Sequence, residues 1–144
     1  MIRITLERTS GDYGFEAKDA AGHAVLTDSS SENGGGDAGV RPMQLLLMAM
    51  GGCSGIDIVS ILKKQRQQID AFTMHISGER EAGVEPSLWK KVHVVFEIKG
   101  DVDAGKAERA CQLSIDKYCS VAETLRRAGA TITWEVNVAP LAAV

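Results

Sequence analysis

At 144 residues, 44% of them hydrophobic and 24% charged, the chain has the size and composition of one ordinary globular domain, expected to span residues 1–144. Its 16 basic and 19 acidic side chains leave a net charge of −3, with no positive field to gather phosphate backbones or anionic lipid, so no nucleic-acid partner is expected. Three cysteines, an odd number, argue for free or reversibly oxidised thiols over a disulfide framework.

The first residues, Met1 to Glu7, are interrupted by Arg3 and Glu7 and lack the apolar stretch of a secretion signal, so a cytoplasmic location is expected. Apolar and polar residues alternate at Ile2, Ile4 and Leu6, again from Tyr13 to Lys18, and from His23 to Asp28. With turn signals at Ser10-Gly11-Asp12 and Ala20-Ala21-Gly22, this reads as a three-stranded antiparallel meander. Ser29 to Gly39 is polar and glycine-rich and reads as a flexible loop.

Pro42 suits the first turn of a helix, and an apolar run continues to Leu62 before Lys63-Lys64-Gln65-Arg66 closes it with positive charge at the dipole's negative end. A membrane span is disfavoured by Gln44, three glycines and Asp57, since a central aspartate costs about 2.5–3.5 kcal/mol on insertion. The expectation is a buried central helix, covered by the amphipathic elements around it and poorly stable in a lone subunit. Two strands follow, Ala71 to Glu81 and Lys90 to Lys99, linked by a loop with Gly83 and Pro86. His75 and His93 fall on their polar faces and read as solvent-facing.

Asp103 is placed to cap a helix running to Tyr118, with Ala107, Ala110, Cys111, Ser114 and Ile115 as its inner stripe. Ser120-Val121-Ala122-Glu123 matches a capping box, which sets Cys119 just ahead of a second helix. Gly129 reads as its stop, and Thr131 to Val138 alternates as a last strand. Trp89 and Trp134 are expected to pack. The fold class is α+β, in the order βββ-α-ββ-α-α-β.

Cys53 lies in Met50-Gly51-Gly52-Cys53-Ser54-Gly55, where each glycine costs about 1 kcal/mol of helix stability relative to alanine. Glycines there permit close approach by a backbone or a ligand, as a reactive sulfur requires; alternatively Cys53 is a small core hydrophobe. A thiol peroxidase needs one thiolate to attack the O–O bond and a second thiol to condense with the sulfenic acid, and Cys53 and Cys119 offer such a pair. Cys111, on an inner stripe, reads as core. Neither the cysteines nor His23, His75 and His93 have ligand-like spacing, so no metal is expected.

The segment Arg41-Pro42-Met43-Gln44-Leu45-Leu46-Leu47-Met48-Ala49-Met50-Gly51-Gly52-Cys53 resembles one in the family of osmotically inducible protein C (OsmC) and organic hydroperoxide resistance protein (Ohr), where a proline opens the central helix and a cysteine follows. Asp116-Lys117-Tyr118-Cys119-Ser120-Val121-Ala122 resembles the family's second cysteine segment, and with the order of elements the resemblance covers nearly the whole chain. It implies antiparallel sheets packed around a long central helix in an intertwined homodimer with active sites at the subunit interface. It further implies reduction of organic hydroperoxides, with Cys53 as peroxidatic thiol, Cys119 as resolving thiol and a dithiol such as a lipoyl group as reductant. No metal, flavin or other cofactor is implied.

The family holds its thiolate with an N-terminal arginine and a glutamate early in the helix. Here Met43 or Gln44 takes the glutamate's place, and Arg41 and Arg8 are the arginine candidates. This resembles the divergent OsmC-like branch. Three functions stand side by side: a thiol-dependent peroxidase, a redox-sensing or small hydrophobic ligand-binding protein without efficient peroxidase activity, and a structural dimer.

Overall fold

The computed structural model describes residues 1–141, with two small sheets and three helices in an α+β arrangement. It divides into two compact units, residues 1–46 and residue 47 onward. In the first, β1 (Thr5–Ser10), β2 (Gly14–Lys18) and β3 (Ala24–Thr27) form the expected antiparallel meander. Gly11 supplies the left-handed turn between β1 and β2, at φ 57°. The loop that follows is more ordered than its composition suggests. A 3₁₀ turn spans Ser31–Asn33, and the Asp28 carboxylate accepts the backbone N–H groups of Ser29 (2.7 Å) and Ala38 (3.1 Å). A polar segment that cannot bury apolar surface is held by one carboxylate gathering its orphan donors.

The second unit is built on β4 (Gln68–Arg80), β5 (Trp89–Asp101) and β6 (Thr131–Ala139). β4 and β5 form an antiparallel hairpin, whereas β6 lies parallel to β5, in register from Lys91–Thr131 to Lys99–Ala139. This corrects the all-antiparallel expectation. Two helices intervene between β5 and β6, a connection long enough to carry the chain back to the start of the sheet. Alternation places Val92, Val94, Phe96 and Ile98 of the central strand on one face, each no more than 1% exposed. At about 1.5–3 kcal/mol per fully buried side chain, these four contribute roughly 6–12 kcal/mol before entropy. Phe96 packs tilted against Phe72 and edge-on to Trp134.

Against that face lie Met50, Ile58 and Leu62 of α1 (Pro42–Lys64) together with Ala107, Ala110, Cys111 and Ile115. Only one face of α1 is covered. Ile56 is 74% exposed and Met48 52%, so the expected buried helix is half buried in a single chain. By length and composition α1 is also apolar enough to cross a membrane.

α2 (Ala104–Leu113) is capped by Asp103, which accepts from Lys106 N at 2.9 Å. It stops earlier than its pattern suggests and passes into a π-helical turn, Ser114–Tyr118. α3 (Ser120–Arg127) follows and ends with Gly129 at φ 108°, its N–H bonding Arg126 O while Ala130 N–H bonds Leu125 O. His75 faces outward beside Glu97 (3.4 Å), and His93 bonds Thr133 Oγ1 (2.7 Å). Trp89 lies half-buried under the Arg80 guanidinium.

Candidate thiol site

The three glycines around Cys53 have separate reasons. A Cβ on Gly51 would come 2.7 Å from Ile76 Cδ1, and one on Gly55 would come 3.0 Å from Met74 Cε. These two, one helical turn apart, let α1 settle onto β4. A methyl group on Gly52 would meet nothing within 4 Å, so this glycine faces open space. Gly51 and Gly55 therefore serve packing, while Gly52, next to Cys53 in the chain, leaves the helix surface bare there.

Cys53 is half-buried and Cys119 is 2% exposed. Sequence places them 66 residues apart, yet Cys53 Sγ, Cys119 Sγ and a carboxylate oxygen of Asp57 all lie within 4.8 Å of one another. Asp57 follows Cys53 by four residues, so the two share a helix face. That i, i+4 spacing is the signal the sequence offers for this carboxylate; weighed only as a charge against a membrane span, Asp57 goes unnoticed.

Cys119 reaches the site through the π turn and the start of α3. The turn's extra residue lets Cys119 N–H bond Ser114 O at 2.7 Å and leaves Cys119 extended at φ −73°, ψ 103°. Its sulfur then accepts the N–H of Ala122 at 3.3 Å. Cys119 is thus the N-cap itself, where the capping-box pattern assigns Ser120, and Glu123 pairs with Arg126 (3.1 Å) and Arg127 (3.4 Å). The extended backbone at Cys119 decides this, because an N-cap must lie outside the helical region.

Burial pushes the Cys119 thiol up from its ordinary pKa, and the neighbouring Cys53 adds to the rise; the Ser54 hydroxyl and the Ala122 N–H oppose it. Ser54 Oγ is buried and makes no well-formed hydrogen bond, so it stands as a donor that a thiolate at Cys119 would engage. Ser114, fully buried, donates to Asp57 Oδ2 at 3.0 Å and reaches Ser54 O at 3.4 Å. Asp57 also edges an open cavity of about 400 Å³ lined by Ile61, Lys64, Leu113 and Tyr118. Cys111 lies in the core cluster, its pKa pushed up to about 12 chiefly by burial, with Glu108 adding to it.

The candidate supporting residues are held in the first unit. Arg41 donates to Gly39 O (2.9 Å) and Asp37 Oδ1 (2.6 Å), and Gln44 Oε1 accepts from Arg41 N (3.1 Å). Gln44 thus ties the entry of α1. Arg8 is exposed in β1, opposite Phe15.

A profile of the OsmC-like protein family matches residues 34–135. Protein YhfA of Escherichia coli K12 is 39% identical over 127 residues, covering 87% of this chain and 91% of its own. A hypothetical protein from Aquifex aeolicus VF5 superposes with a TM-score of 0.79 at 30% identity, over 96% of this chain and 97% of that one. The organic hydroperoxide resistance protein OhrB of Bacillus subtilis superposes at 0.66 over 95% and 98% of the two chains; at 17% identity this likeness is one of fold.

Proposed function

The chain belongs to the OsmC-like protein family, and from that membership we propose that it is a thiol-dependent peroxidase reducing organic hydroperoxides through Cys53 and Cys119. The observation that carries the reading is the meeting of two sulfurs and a carboxylate within 4.8 Å. The half-exposed Cys53 is the attacking thiol and the buried Cys119, held in its neutral form, is the resolving one.

Asp57 takes the proton of Cys53 as the sulfur attacks the hydroperoxide, standing in for the glutamate that Met43 and Gln44 cannot replace. The S–O bond forms as O–O breaks, and the alkoxide leaves as alcohol with that proton. The Cys119 sulfur then attacks the sulfenic sulfur, water departs and a disulfide remains, which an external dithiol such as a lipoyl group reduces by exchange. A disulfide needs sulfurs about 2.05 Å apart, so closure requires a shift of under about 3 Å, within reach of side-chain rotation and a loosened cap. The chemistry suits a reducing, cytoplasmic setting.

The active form is a homodimer. Met48, Gly52, Ile56 and Val59 lie along one helix face, exposed and apolar. A second copy of the same face covers them and borders Cys53.

One equivalent of cumene hydroperoxide added to reduced protein is expected to yield a Cys53–Cys119 disulfide by peptide mass, reversed by dihydrolipoamide. Thiols that stay reduced, or a Cys53→Ser protein that consumes peroxide at the wild-type rate, would sink the reading.

A further inference from the structure

We infer that the reduced site also binds a thiophilic divalent cation of the zinc class, held by Cys53 Sγ, Cys119 Sγ and a carboxylate oxygen of Asp57. The inference goes beyond peroxide reduction and does not require it. The three ligand atoms lie within 4.8 Å of one another, while tetrahedral zinc, at about 2.3 Å from sulfur and 2.0–2.2 Å from oxygen, holds its ligands roughly 3.5–3.8 Å apart. An approach of about an ångström closes the set. Two ligands sit one turn apart on a single helix and the third on a helix cap, so little chain entropy is lost on binding.

Two further features point the same way. Ser54 Oγ, in a residue 1% exposed, makes no well-formed hydrogen bond and stands beside the Cys119 sulfur. A thiolate at that sulfur, its state on a metal, accepts the Ser54 hydroxyl's hydrogen more strongly than the neutral thiol does. Ser114 Oγ donates to Asp57 Oδ2 at 3.0 Å, the kind of outer bond that orients a ligating carboxylate. Two thiolates select zinc, cadmium or cobalt over magnesium or calcium, and three protein ligands leave a fourth position open.

Binding releases the two thiol protons. Metal and hydroperoxide then compete for Cys53. Where the peroxidase reading holds, two thiolates, one hydroperoxide and two protons give a disulfide, an alcohol and water, and the cation, left without its sulfurs, is released.

The test is an anaerobic titration of the reduced full-length protein with Co²⁺, following the thiolate-to-metal charge-transfer absorption and its loss on displacement by Zn²⁺. The band is expected to saturate at one metal per chain and to survive in Cys111→Ser. It disappears in Cys53→Ser, and Asp57→Asn binds about tenfold or more weakly. No band at stoichiometric metal, or an Asp57→Asn protein that binds as tightly as wild type, overturns the assignment. Ions gathered only by surface carboxylates or histidines give no charge-transfer band and count against it equally. The titration uses no peroxide, so its failure is separate from a failure of the peroxidase reading.

Discussion

Replacing Gly51, Gly52 and Gly55 one at a time with alanine separates what each contributes, because the helical gain is the same for all three. Alanine is better than glycine in a helix interior by about 1 kcal/mol. At Gly52 the added methyl meets nothing within 4 Å, so that gain is kept whole, and a chain of this size gains about 2–4 °C in Tm. At Gly51 the methyl would lie 2.7 Å from Ile76 Cδ1, inside a packed helix–sheet contact where forced adjustment costs about 1–3 kcal/mol. The net for Gly51→Ala is a loss of roughly 0–2 kcal/mol. Gly55→Ala falls between them, since its neighbour at 3.0 Å is the flexible end of Met74. Urea unfolding of the reduced proteins, repeated over a dilution series, measures both folding and self-association. Gly51→Ala as stable as Gly52→Ala would refute the packing argument. In the same series, Gly52→Ala is expected to strengthen the fold yet weaken the proposed dimer, because it roughens the exposed stripe of α1.

Two further outcomes follow from the thiols. Cys119→Ala loses both the cap on Ala122 N–H and a buried sulfur, about 1–3 kcal/mol together, while Cys119→Ser keeps an acceptor at the cap and stays closer to wild type; thermal melts that rank alanine above serine would show that the sulfur does not cap. Neither variant can form the proposed disulfide, so Cys119→Ser is expected to part stability from peroxide turnover. Cys111 has its folded pKa raised to about 12 from 9.0, so its contribution to stability is complete below about pH 9, where both states are protonated, and declines as pH rises toward 12 while the unfolded thiol ionises. Wild type is therefore expected to lose stability above pH 9 more steeply than Cys111→Ala; equal slopes in alkaline urea titrations would mean that Cys111 is not the group responsible.

Much of this molecule is local in origin, and that part is legible from the residues. The strand alternation in β2, β5 and β6, the proline that opens α1, the Asp103 cap and the Gly129 stop each depend on neighbours a few positions away. Cys111 is recognisable as core from its helical stripe. Cys53 and Cys119 stand out by their segments. That their sulfurs meet is another matter, because spacing along a chain says nothing of distance across it. The all-antiparallel reading fails at β6, where alternation is the same in either direction and only the α2–α3 crossover sets the pairing. The cap moves from Ser120 to Cys119 because the π turn inserts a residue that no propensity marks, and that turn also brings Ser114 onto Asp57. Asp57 gains its meaning from the sulfur that arrives opposite it. Sequence thus determined the elements and the chemical cast, since propensity, capping and periodicity act over one or two turns; tertiary structure alone decided which sulfur is sheltered, which carboxylate lies beside the pair and which face of α1 lies bare, because burial and proximity are properties of the packed chain.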